Sequence, residues 1–572
     1  MSIRISQKLT PAENGTGAGD RPPPPTSVVS TNVERGKIQP IMRYVDMSRR
    51  DTFSAPSFRV FGSSLPITRR LFLNPSRIKG YSELYSLYRL IMVSKCSILT
   101  ATAGTLLTLT AAGLVLEVVD IETTPNGFTN SPRGWNSFGI QANPDTTPGF
   151  SFNQTRVISQ CDVLAKTTAL KDAGYVYCSL DSGWSVGGNG DEFGRIIYDS
   201  SIFDIPSLAS HLHAEGLLLG VYVVPGAFIA DEAKAIFGTN VTIGSVCSGD
   251  NGLARCNFDY SQPAVQEWHN SVESICFLKL IRYVNNRRGV DFIKLDFITP
   301  GSPANGVNLP PDLSGEVIAY HRAIAQSGRD MRLDISWKLD RSQQYFDIWE
   351  ANADSMCTDQ DINNGGASTF VSWEVVQRAI DNYRQYITIV MAYNTTLTIY
   401  PDMDNLFVGN PGSVSGVTDE ERQTIMTHWL GAGANLIVGS DLTSLDSLGL
   451  NLLANPSAIA IADFAAHHTM QPRNPGTGLP TAQQLQAWIA GPDASGAAVV
   501  VIANYGPDEG QGGFGTSLSG VQTISVSWDD LGISGTFDVH DIWADKDLGA
   551  ESSSLTVQLE EGQSVLYKLA QS

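Results

Sequence analysis

The feature that most constrains the fold is an alternation of short apolar segments with longer amphipathic ones across residues 120–464. Several apolar segments are continuous, as in strands buried on both faces, and the amphipathic segments have the periodicity of helices. The predicted strands are 134–139, 175–180, 217–224, 290–297, 331–337, 354–358, 387–392 and 434–438. The predicted helices include 157–172, 205–215, 264–284, 315–328, 372–386 and 419–430. Eight strands alternating with helices predict a (β/α)8 TIM barrel.

The pattern changes in the last region, residues 465–572. Apart from a short helical stretch near Gln483, the helical periodicity ends, and Gly, Asp and Ser turns separate strand-like segments. These segments are 497–504, 522–528, 536–542, 554–559 and 563–569. Strands separated by such turns predict an antiparallel β-sandwich that covers one side of the barrel. We expect Trp528 and Trp543 in its core, with sugar binding as the alternative.

Composition and charge limit the classes of function. The chain has 572 residues, 42% of them hydrophobic, which excludes a largely disordered protein. Its net charge of -20 argues against a nucleic-acid partner, because a phosphate backbone would repel such a surface. Residues 1–95, by contrast, carry a net charge of +9. Residues 1–91 are predicted to be a disordered basic tail, either an artefact of the gene model or a targeting segment.

A secretory signal peptide is predicted at 92–113. Met92 and Lys95 precede an uncharged stretch, 96–116, with small residues near its end, as in signal peptides. Translation would then begin at Met92, and the mature protein would be secreted and extracellular. The alternative is that 96–116 stays uncleaved and anchors the chain in a membrane, since about 20 residues suffice to span one.

The cysteines fit an oxidising compartment. Without Cys96 the chain has six, and an even number is expected of a disulfide-bonded secreted protein. Cys247 and Cys256 flank a Gly-rich loop and are the pair that we most expect to be bonded. The sequons that agree with a secreted glycoprotein are Asn153, Asn240 and Asn394.

Carboxylates and aromatic side chains recur where the predicted strands end. In a barrel, the carboxyl ends of the strands carry the chemistry. Carboxylate oxygens accept hydrogen bonds from sugar hydroxyls, and aromatic rings pack on the C–H face of a sugar, so we expect a carbohydrate substrate. The sequence has no CxxC pair, phosphate-binding loop, serine nucleophile elbow or HExxH motif. We therefore expect no metal and no organic cofactor.

Eight segments carry a family resemblance. Six lie in the barrel region: RGWNSF (133–138), LDSGW (180–184), GLLLGVYVVPG (216–226), GVDFIKLDF (289–297), PDMDNLFVGN (401–410) and LIVGSDL (436–442). Two lie in the last region: WDDLGISG (528–535) and DIWADKDLG (541–549). With these motifs in family order, residues 120–572 resemble the melibiase family, glycoside hydrolase family 27, which includes α-galactosidases. The resemblance implies a retaining exo-glycosidase, which needs one carboxylate as nucleophile and another as acid/base.

The resemblance also implies the two catalytic residues. Asp296, in the KxD motif that ends the fourth strand, matches the nucleophile of the family. Lys294 points the same way from the strand, where it would bind a sugar hydroxyl and help to keep Asp296 ionised. Asp361, in an Asp-Ile pair after the sixth strand, matches the acid/base, with Asp359 as the alternative.

The sequence departs from the family at three places in the implied sugar site. That site comprises Trp135, Asp181, Trp184, Tyr222, Lys294, Trp337 and Asp402. The family usually has a second Asp where this chain has Ser182, an Arg where it has Cys357, and a Cys/Glu-or-Asn/Trp segment at 335–337, here Ile-Ser-Trp.

These departures affect specificity more than reaction type. A charge-assisted hydrogen bond to the sugar is worth ~1.5–3 kcal/mol, and this chain lacks the groups for two of them. Glycosidase chemistry therefore carries over better than the preference for galactose. The alternatives to an α-galactoside are another sugar, such as a β-L-arabinopyranoside or an α-glucan end. A non-catalytic carbohydrate-binding relative is the alternative from another class of function.

Overall fold

A computed structural model describes residues 116–278, 289–301, 308–393 and 396–572. The predicted basic tail (1–91), the predicted signal peptide (92–113) and the sequon at Asn394 lie outside these residues. The fold described below is therefore that of the barrel and the last region.

Eight parallel strands form one sheet. In chain order they are Arg133–Asn136, Tyr177–Leu180, Leu218–Val223, Phe292–Leu295, Arg332–Ile335, Ser355–Cys357, Tyr400–Asp402 and Leu436–Val438. The first seven strands pair in chain order, and the eighth pairs with the first, Leu436 opposite Arg133. The circle closes just after the seventh strand, where Leu406 pairs with Val438. This curled parallel sheet with its helices confirms the prediction of a (β/α)8 barrel.

Helices connect the strands and cover the outside of the sheet. The longer ones are Gln154–Lys166, Ile205–Ala214, Pro263–Leu278, Ser314–Ser327, Gln343–Asn352, Trp373–Tyr393, Asp419–Gly431, Ser447–Ala454 and Pro456–Ala465. The shorter ones are Phe138–Ala142, Thr168–Asp172 and Gly412–Ser415. Helix Asp419–Gly431 begins with a capping box, in which the side chains of Thr418 and Glu421 each accept the other's backbone N–H.

The prediction of the seventh strand was wrong. Residues 387–392 form the last turns of helix Trp373–Tyr393, and the seventh strand is the three-residue segment Tyr400–Asp402. The apolar, β-branched run that resembled a strand places Ile387 and Val390 on the buried face of the helix. The true strand contains Pro401, which lowers strand propensity, so the sequence carried little sign of it.

The last region is the predicted antiparallel β-sandwich. One sheet has six strands, in the order Gln471–Arg473, Leu485–Ala490, Ala498–Asn504, Ser564–Gln571, Phe537–Asp541 and Lys546–Glu551. The facing sheet pairs Gln522–Ser527 with Ser554–Leu559. The expectation of a helical stretch near Gln483 was wrong, because strand Leu485–Ala490 follows directly. Strand Lys546–Glu551 was not predicted, since it is exposed along its whole length and has no apolar pattern.

The central strands of the six-stranded sheet are buried on both faces. On one face Ile489 and Val500 pack against the smaller sheet, together with Trp528, as predicted for that residue. On the other face Trp488 and Val501 join the hydrophobic core of the barrel. This second contact continues the barrel core into the sandwich.

Polar bonds cross the same interface. The indole N–H of Trp373 donates to the carbonyl oxygen of Tyr505 at 2.8 Å, and the Thr424 hydroxyl donates to that of Gly562 at 2.7 Å. Trp543, expected in the sandwich core, is half-buried at the interface instead, with its indole N–H 2.8 Å from the hydroxyl of Thr427. The sandwich therefore covers one side of the barrel by specific contacts as well as by apolar packing.

Two disulfides occur among the described residues. One joins Cys247 to Cys256, the pair singled out from the sequence, across the hairpin of strands Cys247–Asp250 and Cys256–Phe258. The other joins Cys161, on helix Gln154–Lys166, to Cys178, in the second barrel strand. Cys357 is a buried free thiol at the end of the sixth strand. The disulfides agree with an oxidising compartment.

No single helix in the described ranges has the length and the apolar composition needed to cross a membrane. The consecutive helices Ser447–Ala454 and Pro456–Ala465 pass that test only as a pair, which is bent by 41°.

Candidate active site

Functional side chains collect at the carboxyl ends of the barrel strands. Asp181 follows the second strand, Tyr222 lies in the third, Lys294 and Asp296 belong to the end of the fourth, and Asp402 closes the seventh. Asp361 lies in the loop after the sixth strand. Because parallel strands place their carboxyl ends at one mouth of the barrel, residues far apart in sequence meet there.

Lys294 is the cation that these carboxylates share. Its Nζ lies 3.3 Å from Oδ2 of Asp181, and its side chain is largely buried. Burial alone would lower the pKa of this ammonium, but the charges of Asp181, Asp296 and Asp361 raise it well above its usual range. Lys294 is therefore permanently charged and offers a hydrogen-bond donor at the floor of the site.

Two hydrogen-bond donors and one positive charge hold Asp296 in place. The backbone N–H of Phe297 donates to its Oδ1 at 2.8 Å, the hydroxyl of Tyr222 donates to the carboxylate, and Lys294 faces it. Each lowers the pKa of Asp296, as expected for Lys294, but burial and the charge of Asp181 outweigh them and the net pKa is raised. Asp296 is oriented and partly compensated, as a carboxylate nucleophile needs to be.

Asp361 and Asp359 lie in different environments. Asp361 is exposed at the mouth of the barrel, whereas Asp359 is 3% exposed and faces away from the mouth. Both oxygens of Asp359 are bonded to helix Trp373–Tyr393, one to Arg378 Nε and the other to Asn382 Nδ2, each at 2.8 Å. Desolvation and neighbouring carboxylates raise the pKa of Asp361 to about 7. An accessible carboxyl that holds a proton near neutral pH can act as a general acid.

Two of the departures from the family motif meet in space. The thiol of Cys357 lies 3.4 Å from the Ser336 hydroxyl and 3.2 Å from Oδ2 of Asp402. Asp402 in turn shares a hydrogen bond with Asp334, which is buried, and burial together with the charge of Asp402 raises the pKa of Asp334 well above its usual range. A thiol, a hydroxyl and a carboxyl group thus lie together beside Asp402, and Cys357 stands at the motif position where the family usually has an arginine.

The aromatic residues divide into buried and accessible ones. Trp135 is 0% exposed, and its indole N–H donates to the carbonyl oxygen of Ser440, an environment that favours packing over stacking on a sugar. Trp184 is 4% exposed and donates to the carbonyl oxygen of Tyr222 at 2.7 Å. Trp337 is partly exposed and stacks on Phe297, with ring centroids 4.7 Å apart.

Sequence reasoning missed two residues of the site. Phe138 is partly exposed, and its ring centroid lies 5.4 Å from Nζ of Lys294. Asp404 lies two residues beyond Asp402, and its Oδ2 accepts the backbone N–H of Ile362 at 2.7 Å. Phe138 lies in the RGWNSF motif and Asp404 in the PDMDN motif. The motifs alone do not distinguish these two residues from their neighbours Trp135 and Asp402.

Metal binding finds no support within the described ranges, which hold no group of three or more His, Cys, Asp or Glu side chains arranged to bind an ion. The carboxyl groups and Lys294 at the mouth of the barrel can do acid/base and nucleophilic work on a neutral, hydroxyl-rich molecule.

Known proteins resemble the chain along most of its length. It is 48% identical over 470 residues to alpha-galactosidase 3 of Hypocrea jecorina, covering 80% of this chain and 74% of the relative. It is 44% identical over 422 residues to putative alpha-galactosidase 8 of Emericella nidulans, covering 71% and 81%.

Domain and fold comparisons agree. Residues 482–569 match the family described as the alpha-galactosidase C-terminal β-sandwich domain. The fold is similar, with a TM-score of 0.61 and 21% identity, to a family 27 β-L-arabinopyranosidase from Geobacillus stearothermophilus, covering 77% of this chain and 96% of that one. With the fold, the two fungal relatives and the C-terminal domain in agreement, the chain belongs to the melibiase family, the α-galactosidase family of glycoside hydrolases.

Proposed function

We propose that this protein is an exo-acting α-galactosidase that cleaves terminal α-galactosyl residues by double displacement, with Asp296 as nucleophile and Asp361 as acid/base. The observation that carries the proposal is the difference between the environments of Asp296 and Asp361. Asp296 is held by Tyr222, Lys294 and a backbone N–H, whereas Asp361 is accessible and has a pKa of about 7. Two carboxylates whose environments suit opposite tasks are what a retaining glycosidase requires.

In the first step, Asp361 donates its proton to the glycosidic oxygen while Asp296 attacks the anomeric carbon. The bond from that carbon to the leaving oxygen breaks, and a β-linked galactosyl ester forms on Asp296. The free enzyme must hold Asp361 protonated. Because the pKa of Asp361 is about 7, kcat/KM falls as the pH rises through that value.

In the second step, Asp361 acts as a base. The ester masks the charge of Asp296, which had raised the pKa of Asp361, so this pKa falls once the intermediate forms. The Asp361 carboxylate then takes a proton from a water molecule, whose oxygen attacks the anomeric carbon and releases galactose. Two inversions leave the configuration of the sugar retained.

The sugar would be held by the residues around Asp296. We propose that Lys294 and Asp181 bind ring hydroxyls as a donor and acceptor pair, with Asp402 as a further acceptor. Asp402 already accepts the backbone N–H of Asp404 at 2.9 Å, which fixes its orientation. Tyr222 positions Asp296, and Trp337 and Trp184 contribute apolar surface. A rigid, pre-oriented set of polar groups is suited to one sugar configuration.

One observation favours a sugar other than galactose. Ser182 is exposed at the mouth and offers a hydroxyl where the family usually has a carboxylate. Its backbone N–H donates to Oδ1 of Asp181. The second carboxylate that usually binds a galactose hydroxyl in the family is therefore missing. A pentopyranoside such as β-L-arabinopyranoside lacks the hydroxymethyl group of galactose, so its cleavage is the alternative reaction.

The proposal is tested with a panel of p-nitrophenyl glycosides and residues 114–572 secreted as one folded chain. The panel contains α-D-galactoside, β-L-arabinopyranoside and α-D-glucoside. Highest kcat/KM on the α-galactoside, with α-galactose as first product by NMR, supports the proposal. Preference for the arabinopyranoside would favour the alternative, and a β-configured first product would contradict double displacement.

We also propose that the protein is secreted, as its disulfides and the predicted signal peptide suggest. A secreted protein passes the glycosylation machinery, so we expect glycans on its accessible sequons. Asn240 is exposed, whereas Asn153 caps helix Gln154–Lys166, accepting from Arg156 N and donating to Ser151 Oγ at 3.0 Å. We expect a glycan on Asn240 and little on Asn153, because the glycan bond would form on Nδ2 of Asn153, which is hydrogen-bonded to Ser151 at the start of a helix. Enzymatic deglycosylation in ¹⁸O water followed by peptide mass spectrometry measures both, with Asn240→Gln as the control. Occupancy of Asn153 alone would contradict the expectation.

A further inference from the structure

Asp404 lies in an unusual backbone conformation next to the loop that carries Asp361. Its φ is +71°, in the left-handed region that most side chains avoid and that Asn and Asp tolerate best. The surrounding contacts impose this conformation. The backbone N–H of Asp404 donates to Oδ1 of Asp402 at 2.9 Å, and its carbonyl oxygen accepts the buried indole N–H of Trp429 at 2.9 Å. Strained residues held in this way tend to occur at functional sites.

The strain directs the carboxylate of Asp404 towards the loop after the sixth strand. One oxygen accepts the N–H of Asn405 at 2.5 Å, and the other accepts the N–H of Ile362 at 2.7 Å. Ile362 is buried and follows Asp361 directly in the chain. The bond therefore links the seventh strand end, which carries Asp402, to the loop that carries Asp361.

We propose, on the basis of the function above, that Asp404 is a positioning residue for Asp361, because its carboxylate anchors the loop through Ile362 and lies beside the acid/base. The charge of Asp296 is masked in each catalytic cycle, but that of Asp404 is not. Asp404 would therefore keep Asp361 protonated in the free enzyme and basic enough to take a proton from water in the covalent intermediate.

Other charged groups that face Asp361 do not account for this role. Lys294 stabilises its carboxylate form, whereas Asp296 and Asp181 favour the protonated form less strongly than Asp404 does. On the other side of the loop, Arg378 Nη2 donates to the backbone carbonyl oxygen of Asp361 at 2.8 Å, and its Nε is bonded to Asp359. Apart from desolvation within the mouth of the barrel, Asp404 makes the largest contribution to the raised pKa of Asp361.

The test uses Asp404→Asn, because Asn tolerates the same backbone conformation and its amide oxygen can still accept from Ile362, although the bond from Asn405 is lost. A neighbouring like charge raises a carboxyl pKa by about one unit or more, so the basic limb of kcat/KM should move from about pH 7 down by about one unit. The loss then grows with pH, small at pH 5 and roughly eightfold at pH 7.5. Asp404→Glu retains the charge and should restore the limb, even if its Tm falls.

The matched control is Asp441→Asn. Like Asp404, Asp441 is a carboxylate just after a strand that accepts a backbone N–H; it is buried and accepts from Gln160 Nε2 at 2.7 Å and Thr443 N at 2.9 Å. We expect this variant to lower Tm and to leave the limb in place. A limb that stays fixed in Asp404→Asn, or that moves equally in the control, would overturn the proposal.

A second readout separates this proposal from the proposed function. With [¹³C]aspartate-labelled protein, the carboxyl signal of Asp361, identified by its loss in Asp361→Asn, titrates without any substrate. A downward shift of about one unit in Asp404→Asn supports the positioning role even where no glycoside is cleaved. An unshifted titration overturns it, whatever the activity.

Discussion

Replacing Asp296 by Asn is expected to lower kcat on p-nitrophenyl α-galactoside by on the order of 10⁴- to 10⁶-fold, as loss of a catalytic nucleophile does elsewhere. The amide has the shape of the carboxylate but cannot form the galactosyl ester. The backbone N–H of Phe297 and the hydroxyl of Tyr222 remain to hold the side chain, so the fold should survive. Initial rates with the aryl substrate and thermal unfolding measure the two effects.

A matched control lies near the other end of the same strand. Asp291 accepts from the backbone N–H of Leu219 at 3.0 Å and pairs with His213 and Arg329, at the amino end of the barrel. Asp291→Asn should lower Tm and leave kcat at 25 °C close to that of the unaltered protein, since it touches no substrate.

Chemical rescue sharpens the assignment of Asp296. In Asp296→Gly, added azide can occupy the space of the carboxylate and attack from the same side, so the expected product is β-galactosyl azide. A loss below tenfold in Asp296→Asn would exclude the nucleophile role. So would rescue that gives only the α-azide.

Replacing Asp361 by Ala is expected to have an effect that depends on the leaving group. General acid catalysis contributes 10²- to 10⁴-fold, so kcat/KM should fall by about 10⁴-fold for a galactosyl disaccharide and far less for a p-nitrophenyl galactoside, whose leaving group needs little protonation. The galactosyl-enzyme would then accumulate for lack of a base. Azide should release it from the α face as α-galactosyl azide, which NMR identifies.

Asp359→Asn is the matched control for that experiment. It removes the charge opposite Arg378 and one of the two acceptor oxygens that Arg378 and Asn382 use, so we expect a lower Tm and an equal loss on both substrates. Azide should not rescue it. If Asp359→Asn showed the leaving-group dependence and Asp361→Ala did not, the acid/base would be Asp359.

The barrel could be predicted because its strong signals are local. Seven of the predicted strands overlap the observed ones, and several contain a run of apolar residues typical of a buried parallel strand. The seventh strand could not be found in this way. Pro401 weakens its local signal, and the parallel pairing that stabilises it, Pro401 opposite Met356, joins residues 45 positions apart. Tertiary contacts determine where the seventh strand forms, and local propensity predicted it in the wrong segment.

The candidate site was predictable in outline and not in detail. Motif matching identified residues that the barrel mouth brings together, such as Lys294 with Asp181. It could not tell that Trp135 is buried or that Phe138 is accessible, because both lie in one motif and differ only in direction. Asp404 could not be recognised either, since its carboxylate contacts Ile362 from a left-handed backbone conformation that no local motif signals.

The contact between barrel and sandwich has a consequence for the evolution of this chain. His428 is fully buried beside Tyr505, and burial lowers its pKa to about 3, so it is neutral and matched to the hydroxyl 2.6 Å away. Trp488 donates to the same hydroxyl at 2.8 Å. A gene fragment that ended at residue 465 would leave this imidazole and its apolar neighbours in water. The hydrolase half is therefore not a portable module, and recombination that exchanges one half must exchange the other.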